Sequence, residues 1–97
     1  MIRHVTLFRW NESATPEIEQ QLIAELAELR PRLAGNRALL AGPDVGIIEG
    51  NYDFAVVADF DDADSYLGYR NHPEHQDIIR RLSAPITSER HTVQFEI

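Results

Sequence analysis

The chain has 97 residues, with 9 Lys and Arg against 16 Asp and Glu, a formal net charge of −7 at pH 7, and no cysteine. That length suits one compact domain, residues 1–97, whose surface is large relative to its volume, so self-association is expected. The acidic balance disfavours nucleic acid and anionic membranes as partners, and the missing thiols exclude disulfides, thiolate catalysis and thiolate zinc sites, with a reducing, cytoplasmic setting as the expectation.

The opening MIRHVTLFRW sets charge and a histidine among its apolar residues and does not read as a signal peptide. Ile2 to Trp10 is rich in residues that suit a pleated surface and is followed by the breaker group Asn11-Glu12-Ser13, which predicts strand 1. Thr15 offers an N-cap hydroxyl and Pro16 suits the first helical position. Ile18, Leu22, Leu26, Leu29 and Leu33 then form one apolar stripe of a helix, broken or kinked near Pro31 and ended by Gly35-Asn36. Arg37 to Ile48 reads as a strand interrupted at Gly42-Pro43, and Tyr52 to Phe60 as the strongest strand of the chain. Its Phe54 to Ala58 run is the longest uninterrupted apolar stretch, far short of a membrane span. Asp61 or Asp62 caps a short helix to about Arg70, a second short helix follows Pro73 with Ile78, Ile79 and Leu82 on one side, and His91 to Ile97 closes as a strand.

The order β-α-β-β-α-β, with its second crossover helix split at Asn71-His72-Pro73, is the pattern of a ferredoxin-like α+β protomer with a four-stranded antiparallel sheet. In strand 1, His4, Thr6, Phe8 and Trp10 face opposite to Val5 and Leu7; in strand 3, Tyr52, Phe54, Val56, Ala58 and Phe60 face opposite to Ala55 and Val57. Both faces are apolar, so one packs on the helices and the other on a second subunit or around a cavity. The His4 face is assigned to the interior of a homodimeric barrel, where Phe8, Trp10, Phe54 and Val56, with Tyr52, would line an aromatic lumen for a small hydrophobic or aromatic ligand, or simply fill the dimer core.

The combination of RHVTLFRW, YDFAVVADFDDADSYLGYRNHPEH and the closing strand resembles the stress-responsive dimeric alpha-beta barrel family, the Dabb domain, over essentially the whole chain. The most specific pieces are His4 in the first strand and the aromatic-x-x-His-Pro-x-His segment from Tyr69 to His75. Membership implies a ferredoxin-like protomer whose sheet pairs with another's in a barrel dimer. The family includes plant stress-stable proteins, many bacterial members of unassigned role, and a plant polyketide cyclase that closes an aromatic ring by aldol condensation. Its base is similar in position to His75, its orienting partner to Tyr69, and one further pocket histidine to His4. Another pocket histidine of the cyclase is Phe54 here, so the identity of the substrate does not carry over.

A neutral imidazole near pH 7 is suited to taking a proton from carbon next to a carbonyl. His75 is the candidate base, Tyr69 the group that would donate its hydroxyl to one ring nitrogen, His4 the group that would polarise an oxygen, and His72 a further contact to substrate. No cofactor is required. Equally open from the residues is a conformational role, in which His72 caps a helix that Pro73 starts, His75 packs across the helix–sheet joint and His4 is a satisfied core histidine; the chain would then be a non-catalytic, stress-related or ligand-binding barrel dimer. His72 and His75 at i and i+3, with Glu74 or Asp77 nearby, fall short of a metal signature. His91 is taken as surface, and the run Asp59, Asp61, Asp62, Asp64 as a capped helix start and a solvated face.

Overall fold

A computed structural model describes all residues, Met1–Ile97, as four strands and three helices. β1 (Ile2–Trp10) runs as expected. In α1 (Pro16–Leu29) the Thr15 hydroxyl accepts from the Ile18 N–H at 3.2 Å, and Leu22, Leu26 and Leu29 are buried. Pro31 has no N–H to continue the ladder, and the chain leaves α1 through a 3₁₀ turn over Arg30–Arg32. At Gly35 φ is +72°, and a Cβ there would meet the Ser65 side chain, with its hydroxyl oxygen only 2.1 Å away; the position requires glycine.

β2 (Asn36–Pro43) stops short of the predicted Ile48. The Asp44 side chain gathers the Gly46 N–H and the Asn51 amide, so the stretch from 44 to 53 folds on itself as a loop and leaves Val45, Ile47 and Ile48 in solvent. β3 (Phe54–Phe60) begins two residues later than expected, and the turn at Asp53 matters. Asp53 bonds the backbone of both Phe8 and Trp10. The chain changes face there, and Tyr52 lies under the Arg9 guanidinium and beside His91, away from the Phe54 side.

Asp62 caps α2 (Ala63–Asn71) through the Ser65 N–H, and His72 caps α3 (Pro73–Ile78) with Nδ1 accepting from the Glu74 N–H at 3.1 Å. α3 widens into a π-helical turn at Ile79–Ser83 and a 3₁₀ turn at Ala84–Ile86. β4 (Thr87–Glu96) starts four residues before the predicted His91, because Thr87 to Arg90 is polar edge strand with no apolar alternation to reveal it.

The strands are antiparallel in the order β2-β3-β1-β4, the ferredoxin-like arrangement. The face assignment is corrected. His4, Thr6 and Phe8, with Phe54, Val56, Ala58 and Phe60, lie under the helices in the protomer's own core, against Leu22, Leu26, Leu29, Ile78 and Leu82. Alternation separates two faces but does not say which one the helices cover, and the bulkier aromatic face fills the larger space beneath them. The opposite face carries a row formed by Leu40, Val57, Val5 and Val93 across all four strands, with Leu40 and Val93 67% and 57% exposed. Beside this row Arg3 holds Asp59 in a bidentate pair at 2.8 and 2.9 Å.

Candidate active site

Between sheet and helices lies a cavity of about 450 Å³. β1 contributes His4, Thr6 and Phe8, β3 Val56, α1 Leu22 and Leu26, and the α3 end with its π turn Ile78, Ile79 and Ser83. Tyr66, Tyr69 and His75 come from the two helices flanking the His72-Pro73 junction, while Arg70, Gln76, Arg90 and Thr92 are exposed and form the rim. A mouth exists because β4 is an edge strand whose residues from Ser88 onward remain exposed.

The predicted trio converges here. Tyr69 and His75 lie on either side of the helix junction, and Pro73 fixes the turn between them. Their rings stack, with centroids 3.9 Å apart and planes at 30°, so the expected hydrogen bond from the Tyr69 hydroxyl to the imidazole is replaced by ring contact. His75 Nδ1 is buried without a hydrogen-bond partner, and the imidazole ring lines the cavity. Burial pushes the His75 pKa down to about 4, opposed by the main chain of Arg70 and Tyr69 and reinforced to a smaller degree by His4 and His72. The imidazole is therefore neutral at physiological pH. Burial also raises the Tyr69 pKa strongly, reinforced by Tyr66 and opposed by Arg90, so its hydroxyl stays protonated and can donate.

His4 is fully engaged. Its Nδ1 lies 3.0 Å from the Gln94 amide nitrogen and its Nε2 3.1 Å from the Thr6 hydroxyl, and its ring packs on Tyr66 at 4.8 Å. With the amide donating to Nδ1, the imidazole hydrogen is on Nε2 and is donated to Thr6 Oγ1, which turns the Thr6 hydrogen outward. Burial, with Arg90 nearby, lowers the His4 pKa and favours this neutral form.

Of the residues expected to touch substrate, Phe8 and Val56 line the cavity; Trp10, Phe54 and His72 do not. Trp10 and Phe54 form an aromatic cluster with Phe8, and the Trp10 indole donates to Glu19 at 3.0 Å. His72 spends its Nδ1 on the α3 cap. The metal alternative loses its carboxylates to ion pairs, Glu74 with Arg32 and Asp77 with Arg80 and Arg81, and no group of three His, Asp or Glu side chains converges anywhere in the chain. The sequence reading missed Tyr66, Arg70, Gln76, Ser83, Arg90 and Thr92. Tyr66 was legible one helical turn before Tyr69, and Thr92 faces Thr6 across the β1–β4 pairing.

The family model of the Stress Responsive A/B Barrel Domain (Dabb) matches residues 2–97. The chain belongs to the Dabb family. A dimeric ferredoxin-like protein of unknown function from Thermobifida fusca is 41% identical, with a TM-score of 0.90 over 99% of this chain and 90% of that one. Two enzymes share this Dabb protein's fold at low identity. The hydroxynitrile lyase of Passiflora edulis is 16% identical with a TM-score of 0.81, covering 99% of this chain and 92% of its own. A cofactor-independent oxygenase from Streptomyces nogalater, SnoaB, is 16% identical with a TM-score of 0.75, covering 99% and 91%. No curated protein sequence matches the chain.

Proposed function

We propose that this Dabb protein is a homodimeric enzyme whose protomer cavity catalyses lyase or cyclase chemistry on a hydrophobic carbonyl compound, with His75 as the general base. The observation that carries the reading is the buried imidazole of His75, neutral and lining a cavity whose wall is half apolar and half polar. Nε2 takes a proton from the carbon beside a carbonyl, and the electron pair moves onto the carbonyl oxygen. The Tyr69 hydroxyl, protonated and without a partner in the chain, donates to that oxygen as charge develops. The stacked Tyr69 ring meets the imidazolium with its π face. The enolate carbon then attacks a second carbonyl of the same molecule, and the imidazolium returns its proton to the new alkoxide; in a lyase the enolate pair instead forms a carbon–carbon double bond as the bond from the β carbon to the leaving group breaks, and the imidazolium gives its proton to the departing group. His4 acts through Thr6 as a positioning residue.

The hydroxynitrile lyase and the cofactor-independent oxygenase with the same fold support a catalytic use of this scaffold, in the oxygenase without a cofactor. The dimer is supported by the dimeric Thermobifida relative and by the exposed apolar row on the outer sheet face. One observation favours the alternative, a non-catalytic ligand-binding dimer: a base with a pKa of about 4 has little thermodynamic pull on a carbon acid at pH 7.

Deuterium incorporation next to the carbonyl of 4-phenyl-2-butanone, followed by NMR, separates the two. The enzyme reading expects exchange above the buffer rate that falls by about 100-fold in His75→Gln, the usual scale of general-base catalysis. Exchange at the buffer rate, or exchange that survives the substitution, rejects it.

A further inference from the structure

All 9 basic residues of the chain are arginines. Six of them, Arg3, Arg9, Arg32, Arg37, Arg80 and Arg81, hold carboxylates in ion pairs, and Arg30 donates to the Arg37 carbonyl at 2.8 Å. Only Arg70 and Arg90 have no side-chain or carbonyl partner, and both stand at the cavity mouth. In a protein of net charge −7, rich in carboxylates, two unpaired guanidinium groups at one opening are a local reversal of sign.

They reach the mouth from two different elements, α2 and β4. Arg70 is in the last turn of α2, one residue after Tyr69, and its carbonyl accepts from the Gln76 amide, which ties the end of α2 to α3. Arg90 comes from the edge strand, where it pairs with Phe8 in register, and its charge is felt at both His4 and Tyr69. Behind them the lining includes the apolar side chains of Phe8, Leu22, Leu26, Val56 and Ile78 beside the polar groups of His4, Thr6, His75 and Ser83.

We infer that the cavity selects amphiphilic carbonyl compounds ending in an oxyanion, a carboxylate or a phosphate, which Arg70 and Arg90 clamp at the mouth while the apolar body lies inward beside His75. Guanidinium groups suit this task because their planar forks bond two oxygens at once. The inference rests on the cavity being the ligand site. It adds a direction of entry and a charge requirement, so a neutral ligand of equal shape binds less well.

Calorimetry with the full-length protein and three probes of matched tail tests it: 4-butylbenzoate, 4-butylphenyl phosphate and the neutral 4-butylbenzamide. The expected result is that at least one anion binds about tenfold or more tighter than the amide, and that the advantage shrinks with added salt and falls to about one in the Arg70→Gln/Arg90→Gln double variant while Arg30→Gln retains it. The tighter of the two anions tells carboxylate from phosphate. Equal binding of all three probes overturns the clamp and leaves the cavity reading standing, as does an anion preference that survives in the double variant. If no probe binds at millimolar concentration and the His75 ring resonances do not move, the cavity reading falls, and the clamp with it.

Discussion

At the residue scale, His75 ties stability to pH. Its pKa in the folded chain is about 4, against an ordinary value of 6.5 that the unfolded chain retains. Above pH 6.5 both states are neutral and stability does not depend on this group; between 6.5 and 4 only the unfolded state binds the proton, so stability is lost as pH falls, reaching about 3 kcal/mol below pH 4. Urea unfolding of the wild type and His75→Gln at pH 7 and pH 4.5 should show a steeper loss in the wild type; equal losses would mean the imidazole is not buried in its neutral form. Tyr69→Phe removes a hydroxyl that bonds nothing in the chain but keeps the stacked ring, so stability should change by less than about 0.5 kcal/mol while any His75-dependent activity drops. Tyr69, His75 and His4 were singled out in the sequence by the resemblance to the Dabb family, and the fold brings all three to one cavity. Arg70 and Arg90 were not, since what marks them is the lack of partners, and partners are decided by which carboxylates the fold brings near.

At the element scale, the His72-Pro73 junction serves the site without lining it. His72→Ala should cost about 1 kcal/mol in thermal or urea unfolding, as other N-cap losses do, and leave ligand affinity near that of the wild type. Gly35→Ala is expected to cost more, about 2 kcal/mol, because it adds the strain of a left-handed residue to a collision with Ser65 at the start of α2. The elements themselves were largely readable: Thr15, Asp62 and Pro73 mark helix starts, and β1 follows its apolar pattern from end to end. The misread boundaries lie where chemistry and pattern part. Val45, Ile47 and Ile48 have strand-like side chains, but the Asp44 turn takes the backbone away from the sheet, and the polar start of β4 is held by its pairing to β1 and by the Thr87 hydroxyl on the Ser83 carbonyl.

At the scale of the whole molecule, the two sheet faces divide the work. The helix-covered face encloses the cavity, and the outer face presents Leu40, Val57, Val5 and Val93 with Phe95 nearby, a surface suited to a second copy. A charge on the exposed β4 end of this row should therefore separate a dimer without touching the site. Val93→Asp is expected to sediment as a monomer, with the circular dichroism of a folded protein; dimers persisting in this variant would move the interface elsewhere. Which face meets the helices was the one feature of the architecture that alternation left open, because both faces are apolar and only the packing of the leucine stripe on Phe54, Val56 and Phe60 decides it.

Every role proposed for the cavity depends on a buried, neutral imidazole at His75. A ¹⁵N-detected NMR titration of His75 from pH 8 to pH 3.5, assigned with His75→Gln, tests it most directly. The ring should stay neutral through pH 5 and titrate near pH 4. A midpoint at the ordinary 6.5 would contradict it, placing His75 in solvent and leaving the cavity without its base.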